Sequence, residues 1–98
     1  MHAAALRVEL RIPAVHSLKE KRHRMSVLTT DLRKAFPAAA VAEVGFHDQW
    51  QRSTLGVALV AGEAGHLQRL MAGIRRYFDG RPDAELLDVV VSYLEEET

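Results

Sequence analysis

The spacing of apolar residues changes along this chain, and the order of the changes limits the folds available to it. Some segments place an apolar residue at every second position, which is the period of a strand with one buried face. Others place one at every third or fourth position, the period of an amphipathic helix. In chain order, the spacing predicts a strand at 6–12, a helix at 18–35, strands at 41–46 and 52–61, a helix after Glu63, and a strand at 86–94. The predicted order of elements is therefore β-α-β-β-α-β.

Short signals mark the ends of the two predicted helices. Ser17 and Glu20 have the spacing of a capping box, in which the serine hydroxyl accepts from the Glu20 amide and the Glu20 carboxylate reaches back. Pro37 stops the first helix, and Gly80 suits a left-handed position just after the second. These signals agree with the apolar spacing about where the helices lie.

The element order favours one architecture. Strand–helix–strand units cross over in the right-handed sense, which leaves few arrangements for this order. The simplest is an α+β sandwich with the ferredoxin-like fold, a four-stranded antiparallel sheet with two helices on one face. A chain of 98 residues has the length of one domain, so we expect a single domain over residues 1–98.

The fourth predicted strand is apolar on both of its faces. Its alternating positions are Leu87, Val89, Val91 and Tyr93 on one face and Leu86, Val90 and Leu94 on the other. Because so much apolar surface is unfavourable in water, we expect another subunit to cover the open face of the sheet or the edge of the fourth strand. The sequence thus predicts a homodimer.

Composition excludes several classes of protein. The chain has no cysteine, which excludes disulfides, thiolate metal sites and thiol nucleophiles. Its longest apolar run, from Leu55 to Ala61, is far shorter than the roughly 20 residues that span a bilayer. Arg7 and Glu9 interrupt the stretch where a secretion signal needs apolar residues. We therefore expect a cytoplasmic protein with no membrane partner.

The charges cancel over the whole chain but are unevenly distributed. Residues 1–36 carry a net charge of +5 and residues 37–98 a net charge of −5, ending in three glutamates at 95–97 that we expect to form a solvated tail. Such asymmetry can indicate a face for an anionic partner. It can equally indicate two halves that attract each other, or that attract the other subunit of a dimer.

Four segments resemble the YlxP-like family of bacterial proteins: SLKEKR at 17–22, VAEV at 41–44, WQRSTLGV at 50–57 and ELLDV at 85–89. The resemblance covers essentially the whole chain, in the same order and spacing. It implies a ferredoxin-like fold and a small cytoplasmic protein. Genes of this family often lie near those of translation and transcription factors, which suggests ribosome or RNA biology. The family is a domain of unknown function and implies no catalytic residues.

The start of the first helix is the first candidate for a binding site. It gathers basic side chains, namely His16, Lys19, Lys21, Arg22 and Arg24. Cations at this end oppose the helix dipole, so their presence without visible compensation points to binding of phosphate or an RNA backbone. The alternative is a solvated face whose cations pair with nearby acids.

The hairpin between the second and third strands is the other candidate. It contains His47, Asp48, Trp50 and Arg52 within six residues. An exposed Trp50 could stack on a base or on a partner side chain. A buried Trp50 would instead cover the end of the core.

No combination of residues indicates a reaction centre, a metal site or a cofactor. The five histidines lack the spacing of metal ligands, and glycine-rich nucleotide-binding motifs are absent. We therefore expect no enzyme, but a binding module that acts near translation or RNA metabolism and meets RNA or a ribosome-associated protein. One alternative is an interaction or scaffold homodimer with no nucleic-acid role. A small hydrolase that uses His47, Asp48 and Arg52 is a more remote one.

Overall fold

The computed structural model describes residues 1–94 and shows the predicted β-α-β-β-α-β order. The three glutamates at 95–97 lie outside the described residues. The elements are β1 His2–Arg11, α1 Leu18–Ala35, β2 Ala40–Gly45, β3 Arg52–Ala61, α2 Ala64–Asp79 and β4 Glu85–Leu94.

The four strands form one antiparallel sheet in the order β2-β3-β1-β4. One face of this sheet, with Leu6 and Val8 of β1 and Val57 of β3, belongs to a single apolar core together with Leu28 of α1 and Ile74 of α2. Both helices therefore cover the same face of the sheet, and the opposite face is open. This is the ferredoxin-like α+β arrangement that the sequence predicts.

The first strand is longer than its alternating pattern indicates. It begins at His2, whereas the predicted strand begins at Leu6. The predicted start is late because residues 3–5 are all alanine and show no alternation of apolar and polar side chains. These alanines nevertheless pair with β3 on one side and β4 on the other, with Ala5 opposite Ala58 and Ser92. Pairing on both sides holds a segment in the sheet that its own side chains do not specify.

A bulge in the pairing of β1 with β4 changes which residues of β4 face the core. The register shifts between Glu9 and Leu10, so that Leu86 lies opposite Leu10 and packs against the core. Leu87 is exposed. The predicted faces of β4 are therefore wrong at its start, because an extra residue in one strand reverses the side-chain alternation beyond it.

The predicted signals at the helix ends are confirmed in part. The Ser17 hydroxyl accepts from the Glu20 amide at 3.1 Å, as in a capping box. The Glu20 carboxylate, however, accepts from the amide of His16 at 2.9 Å, one residue earlier than the usual partner. Gly80 has φ −103° and not the expected left-handed conformation, because the chain leaves α2 through a turn in which the Arg81 amide donates to the Phe78 carbonyl.

The two edges of the sheet differ in how well they are protected. The β2 edge is six residues long, has a bulge between Glu43 and Gly45, and is capped where the Arg33 guanidinium donates to the Val41 carbonyl at 2.8 Å. The β4 edge is ten residues long and carries exposed apolar side chains such as Tyr93. Short strands, bulges and capping groups are the usual protection against edge pairing, so β2 is protected and β4 is accessible.

No helix within residues 1–94 is long and apolar enough to cross a membrane.

Candidate interaction surfaces

The fold brings both predicted clusters to one end of the molecule, which we call the loop end. The Ile12 amide, after β1, donates to the Gln51 carbonyl in the β2–β3 hairpin. The Lys21 ammonium, from the first turn of α1, donates to the Phe46 carbonyl in the same hairpin at 2.7 Å. The hairpin is therefore joined by hydrogen bonds to the start of α1 and to the end of β1.

Lys21 has to be removed from the predicted anion-binding set, because its side chain is fully buried. Its ammonium pairs with the Glu43 carboxylate at 2.9 Å, and the same carboxylate oxygen accepts a short hydrogen bond from the Ser53 hydroxyl at 2.5 Å. A buried cation that is paired in this way is not available to an external anion. It fixes the start of α1 against the hairpin.

Arg24 is also occupied within the protein. Its guanidinium donates to the Pro13 carbonyl at 2.7 Å and to the Asp83 carbonyl at 3.2 Å, which ties α1 to two loops. The other three predicted residues, His16, Lys19 and Arg22, are exposed. Within residues 1–94, neither Lys19 nor Arg22 forms an ion pair or a side-chain hydrogen bond. The accessible cations at the α1 start are therefore fewer than predicted.

The hairpin presents aromatic surface. Trp50 is 48% exposed, so the alternative in which it covers the core is wrong. Phe46 adopts a left-handed backbone conformation with φ 59°, and the Arg52 guanidinium lies 4.7 Å from the centre of its ring. The Nε of Arg52 is buried without a hydrogen-bond partner within residues 1–94. Two exposed rings and a stacked guanidinium thus share the hairpin.

The three groups of the hydrolase alternative do not converge on one point. The His47 Nε2 atom lies 3.0 Å from the Glu43 carbonyl oxygen, and Arg52 lies 3.7 Å from Glu9 on β1. Asp48 has neither an ion pair nor a side-chain hydrogen bond within the described residues. Also within residues 1–94, no group of three His, Asp or Glu side chains is arranged to hold a metal ion. Within the described residues, the side chains of His47, Asp48 and Arg52 therefore share no hydrogen bond or ion pair with one another.

The open face of the sheet is apolar away from the loop end. Its central strands contribute small residues, including Ala5 opposite Ala58 and Gly56 opposite Ala42. Larger side chains stand around them with exposures of 48% for Val44 and 50% for Val90. Shallow depressions of about 300 and 290 Å³ lie between these walls. We call this region the apolar sheet surface; it consists of Ala3, Ala5, Ala40, Ala42, Val44, Gly56, Ala58, Val60, Val90 and Leu94.

The same face becomes polar toward the loop end. The Thr54 hydroxyl donates to the Glu9 carboxylate at 2.6 Å, and Arg11 pairs with Glu85 at 2.9 Å. Arg7 lies inside the apolar sheet surface, paired with Gly56 on one side and Val90 on the other, and it is exposed and without an ion pair within residues 1–94. The open face therefore combines a mainly apolar region, interrupted by Arg7, with a polar border, and protein–protein interfaces commonly combine apolar and polar areas in this way.

A separate network around Arg81 joins the two helices to the loop before β4. The guanidinium donates to both carboxylate oxygens of Asp83 at 2.9 and 2.7 Å and to the Tyr77 hydroxyl at 2.6 Å, and it reaches Asp31 of α1 at 3.3 Å. The hydrogen bonds from Arg81 hold the pKa of Asp83 below its usual value, while burial raises the pKa of Tyr77. Because Arg81 is fully engaged, this network is structural.

Sequence reasoning found the hairpin and the α1 start, but it missed the groups that connect them. Glu43 and Ser53 lie on different strands, and no local pattern marks them as partners of Lys21. The position of Lys21 was readable, however, because it falls on the same helical stripe as Leu18, Met25 and Leu28. A charge on an apolar stripe is a signal of a buried pair.

Comparison with known proteins places the chain in a family. A family model described as "Protein of unknown function (DUF503)" matches residues 3–91. The uncharacterized protein YlxP of Bacillus subtilis (strain 168) is 29% identical over 69 residues, which is 70% of this chain and 74% of that protein. These matches confirm the resemblance to the YlxP-like family. The chain therefore belongs to the DUF503 family, whose description assigns it no function.

Proposed function

We propose that this protein is a non-catalytic binding module that assembles with a second copy of itself through the apolar sheet surface. The observation that carries this proposal is the exposure of large apolar side chains on an otherwise small-residue face, with Val60 at 61% and Leu94 at 56%. Isolated exposed apolar residues are ordinary, but a contiguous group of them marks an interaction site.

The size of the face supports a homodimer of modest stability. The whole open face, with six residues in β2 and ten in each of the other strands, has a footprint of roughly 600 Å² per copy at about 4.8 Å between strands and about 3.3 Å per residue. Two copies that pack the polar border together with the apolar sheet surface would bury about 1,200 Å², the lower end of the range for specific interfaces. We therefore expect reversible association in the micromolar range and not a permanent dimer.

The shape of the face supports a copy of the same chain as the partner. The exposed Val44 and Val90 line shallow depressions together with small residues such as Gly56, and Arg7 and Ser92 also line one of these depressions. A dimer interface with a two-fold axis uses the same patch on both subunits, so a face that carries both projections and depressions can supply both halves of such a contact.

Sedimentation equilibrium from 5 to 200 µM protein tests this proposal. We expect the parent chain to dimerise and the Val90→Arg and Ala58→Arg variants to remain monomeric with unchanged circular dichroism. Thr30→Arg adds the same charge on the exposed side of α1 and serves as the control. A parent chain that is monomeric at 200 µM, or an Ala58→Arg variant that dimerises like the parent, would refute the proposal.

The exposed hairpin favours a second function, the binding of single-stranded RNA at the loop end. The hairpin carries an exposed tryptophan and a phenylalanine with an arginine stacked on its ring, and planar groups of this kind are surfaces on which bases stack. Trp50 is the only tryptophan, so its fluorescence reports directly on such stacking. We expect a single-stranded RNA to quench it in the parent chain. Binding that is equally tight in Trp50→Ala, measured by anisotropy of a labelled RNA, would exclude stacking on this residue.

A further inference from the structure

The helices and the rest of the chain carry opposite net charges. The two helices together carry nine Lys or Arg and three Asp or Glu, a net charge of +6. The strands, loops and tail together carry −6, since the whole chain is neutral. The acidic second half of the sequence contains a basic helix, because α2 holds Arg69, Arg75 and Arg76 but only Asp79 among acids.

Except for the buried Lys21 and the half-buried Arg24, the cations of the two helices are exposed. Both helices cover the same face of the sheet, and the ring of Phe36, at the end of α1, packs against Tyr77 of α2 with 6.2 Å between the ring centres. Their outer surfaces therefore point the same way. The exposed cations of the two helices that form no ion pair or side-chain hydrogen bond within residues 1–94 are Lys19, Arg22, Lys34, Arg69, Arg75 and Arg76.

Few acids offset this charge on the same surface. Asp31 pairs with Arg81 from the loop before β4. The exposed Glu20 keeps its negative charge while it accepts from the neutral His16 amide, so it offsets one of the cations. Asp79 is the remaining helical acid, at the last position of α2. The buried Lys21 is already balanced by Glu43. The excess of positive charge therefore faces solvent.

We propose that the outer surface of the two helices is a docking surface for the phosphate backbone of a nucleic acid. The proposal rests on the second proposed function, RNA binding, and it adds α2 to the contact surface. At about 1.5 Å per residue, the 18 residues of α1 and the 16 of α2 span about 27 and 24 Å, enough to follow several phosphates. Unpaired cations with no carboxylate partner keep the freedom to neutralise phosphates, and the release of counterions drives such binding.

The helical surface and the apolar sheet surface are compatible. They lie on opposite sides of the sheet, so a dimer formed through the open faces would present one basic helical surface on each of its two outer sides. Binding of nucleic acid and dimerisation can therefore be measured independently.

The test uses the full chain and a fluorescein-labelled single-stranded 20-nucleotide RNA, with binding measured by anisotropy between 50 and 300 mM KCl. Arg69→Glu with Arg76→Glu removes two cations of α2, and Arg69→Lys with Arg76→Lys is the matched control that keeps the charge. We expect the Glu pair to bind at least tenfold more weakly and the Lys pair within twofold of the parent. The slope of log K against log salt should shrink by about 1.4 in the Glu pair, at about 0.7 per lost phosphate contact.

Three other outcomes would show which part of the proposal is wrong: the α2 surface, RNA binding itself, or the choice of nucleic acid as the partner. If Lys19→Glu with Arg22→Glu abolishes binding while the α2 Glu pair binds like the parent, RNA binding stands at the loop end and the α2 surface is refuted. If the parent does not bind at 50 mM KCl, or binds with no dependence on salt, both RNA binding and the helical surface are refuted. If poly-L-glutamate of similar length competes as well as unlabelled RNA, the surface recognises acidic chains in general and the assignment to nucleic acid is wrong.

Discussion

The buried ion pair between α1 and β2 gives the sharpest prediction about stability. Lys21→Met keeps most of the side-chain volume but leaves the Glu43 carboxylate without its cation and the Phe46 carbonyl without its donor. Removing one partner of a buried pair costs about 3 to 5 kcal/mol. The Glu43 side chain is 22% exposed and keeps its bond from Ser53, which lowers the expected loss for Lys21→Met to about 2 to 4 kcal/mol.

The converse substitution and the double variant complete the cycle. Glu43→Leu isolates a fully buried ammonium and should cost about 3 to 5 kcal/mol. The double variant removes both charges and leaves the Phe46 carbonyl without its donor and the Ser53 hydroxyl without its acceptor, so it should lose about 1 to 3 kcal/mol. The two substitutions should therefore be strongly coupled, with a coupling energy above about 2 kcal/mol.

Urea unfolding followed by circular dichroism measures these free energies. Arg22→Met, at the exposed neighbouring position, is the control and should change the free energy of unfolding by no more than about 0.5 kcal/mol. Additive losses in the double variant would show that the two side chains do not act as a pair. A Lys21→Met variant as stable as Arg22→Met would contradict the burial of this lysine altogether.

Two further predictions concern the rest of the framework. Hydrogen bonds from Arg81 lower the pKa of Asp83, so the stabilisation from this carboxylate should be complete above its unfolded pKa of about 3.9 and should be lost as the pH falls through the lower folded value. The difference in unfolding free energy between the parent and Asp83→Asn should be about 1 to 3 kcal/mol at pH 7 and should narrow below about pH 4. A difference that stays unchanged down to pH 2.5 in thermal unfolding would contradict this prediction. Alanine substitution of the two helical glycines should change the free energy of unfolding in opposite directions. Gly73→Ala would bring a Cβ within 2.9 Å of the Phe36 ring and should destabilise by about 1 kcal/mol, whereas at Gly65 the nearest atom is the flexible end of Arg69 at 3.4 Å, so Gly65→Ala should stabilise by about 0.5 to 1 kcal/mol. Equal shifts of the two unfolding midpoints would refute the distinction.

The sequence was sufficient for the fold because the fold depends on local periods. Apolar spacing, the capping serine and Pro37 together predict α1 with its observed end at Ala35. What the sequence does not contain is information on backbone irregularity and on long-range pairing. The bulge opposite Leu10 and the left-handed Phe46 are set by contacts between elements and not by local pattern. The errors in the faces of β4 and in the conformation of Gly80 are of this kind.

The candidate sites were harder to predict for a related reason. Grouping residues along the chain identified the basic start of α1, but three-dimensional partners decide which of those cations are available. Lys21 and Arg24 are bonded within the protein, whereas the arginines of α2, in an acidic half of the sequence, are free of acids. Charge assigned to folded elements is therefore more informative for this protein than charge assigned to sequence segments.

The unequal edges of the sheet set an upper limit on growth by strand addition. Continuous growth of a sheet from molecule to molecule needs two accessible edge strands in each molecule, because every added molecule must offer a free edge to the next one. Here Arg33 and the bulge at Glu43 close the β2 side, which leaves β4 as the accessible row of backbone donors and acceptors. If two such molecules join along β4, each uses up the edge that the other would need to extend, and the eight-stranded product ends in blocked β2 strands. Fibril formation from the native state is therefore disfavoured by the architecture itself.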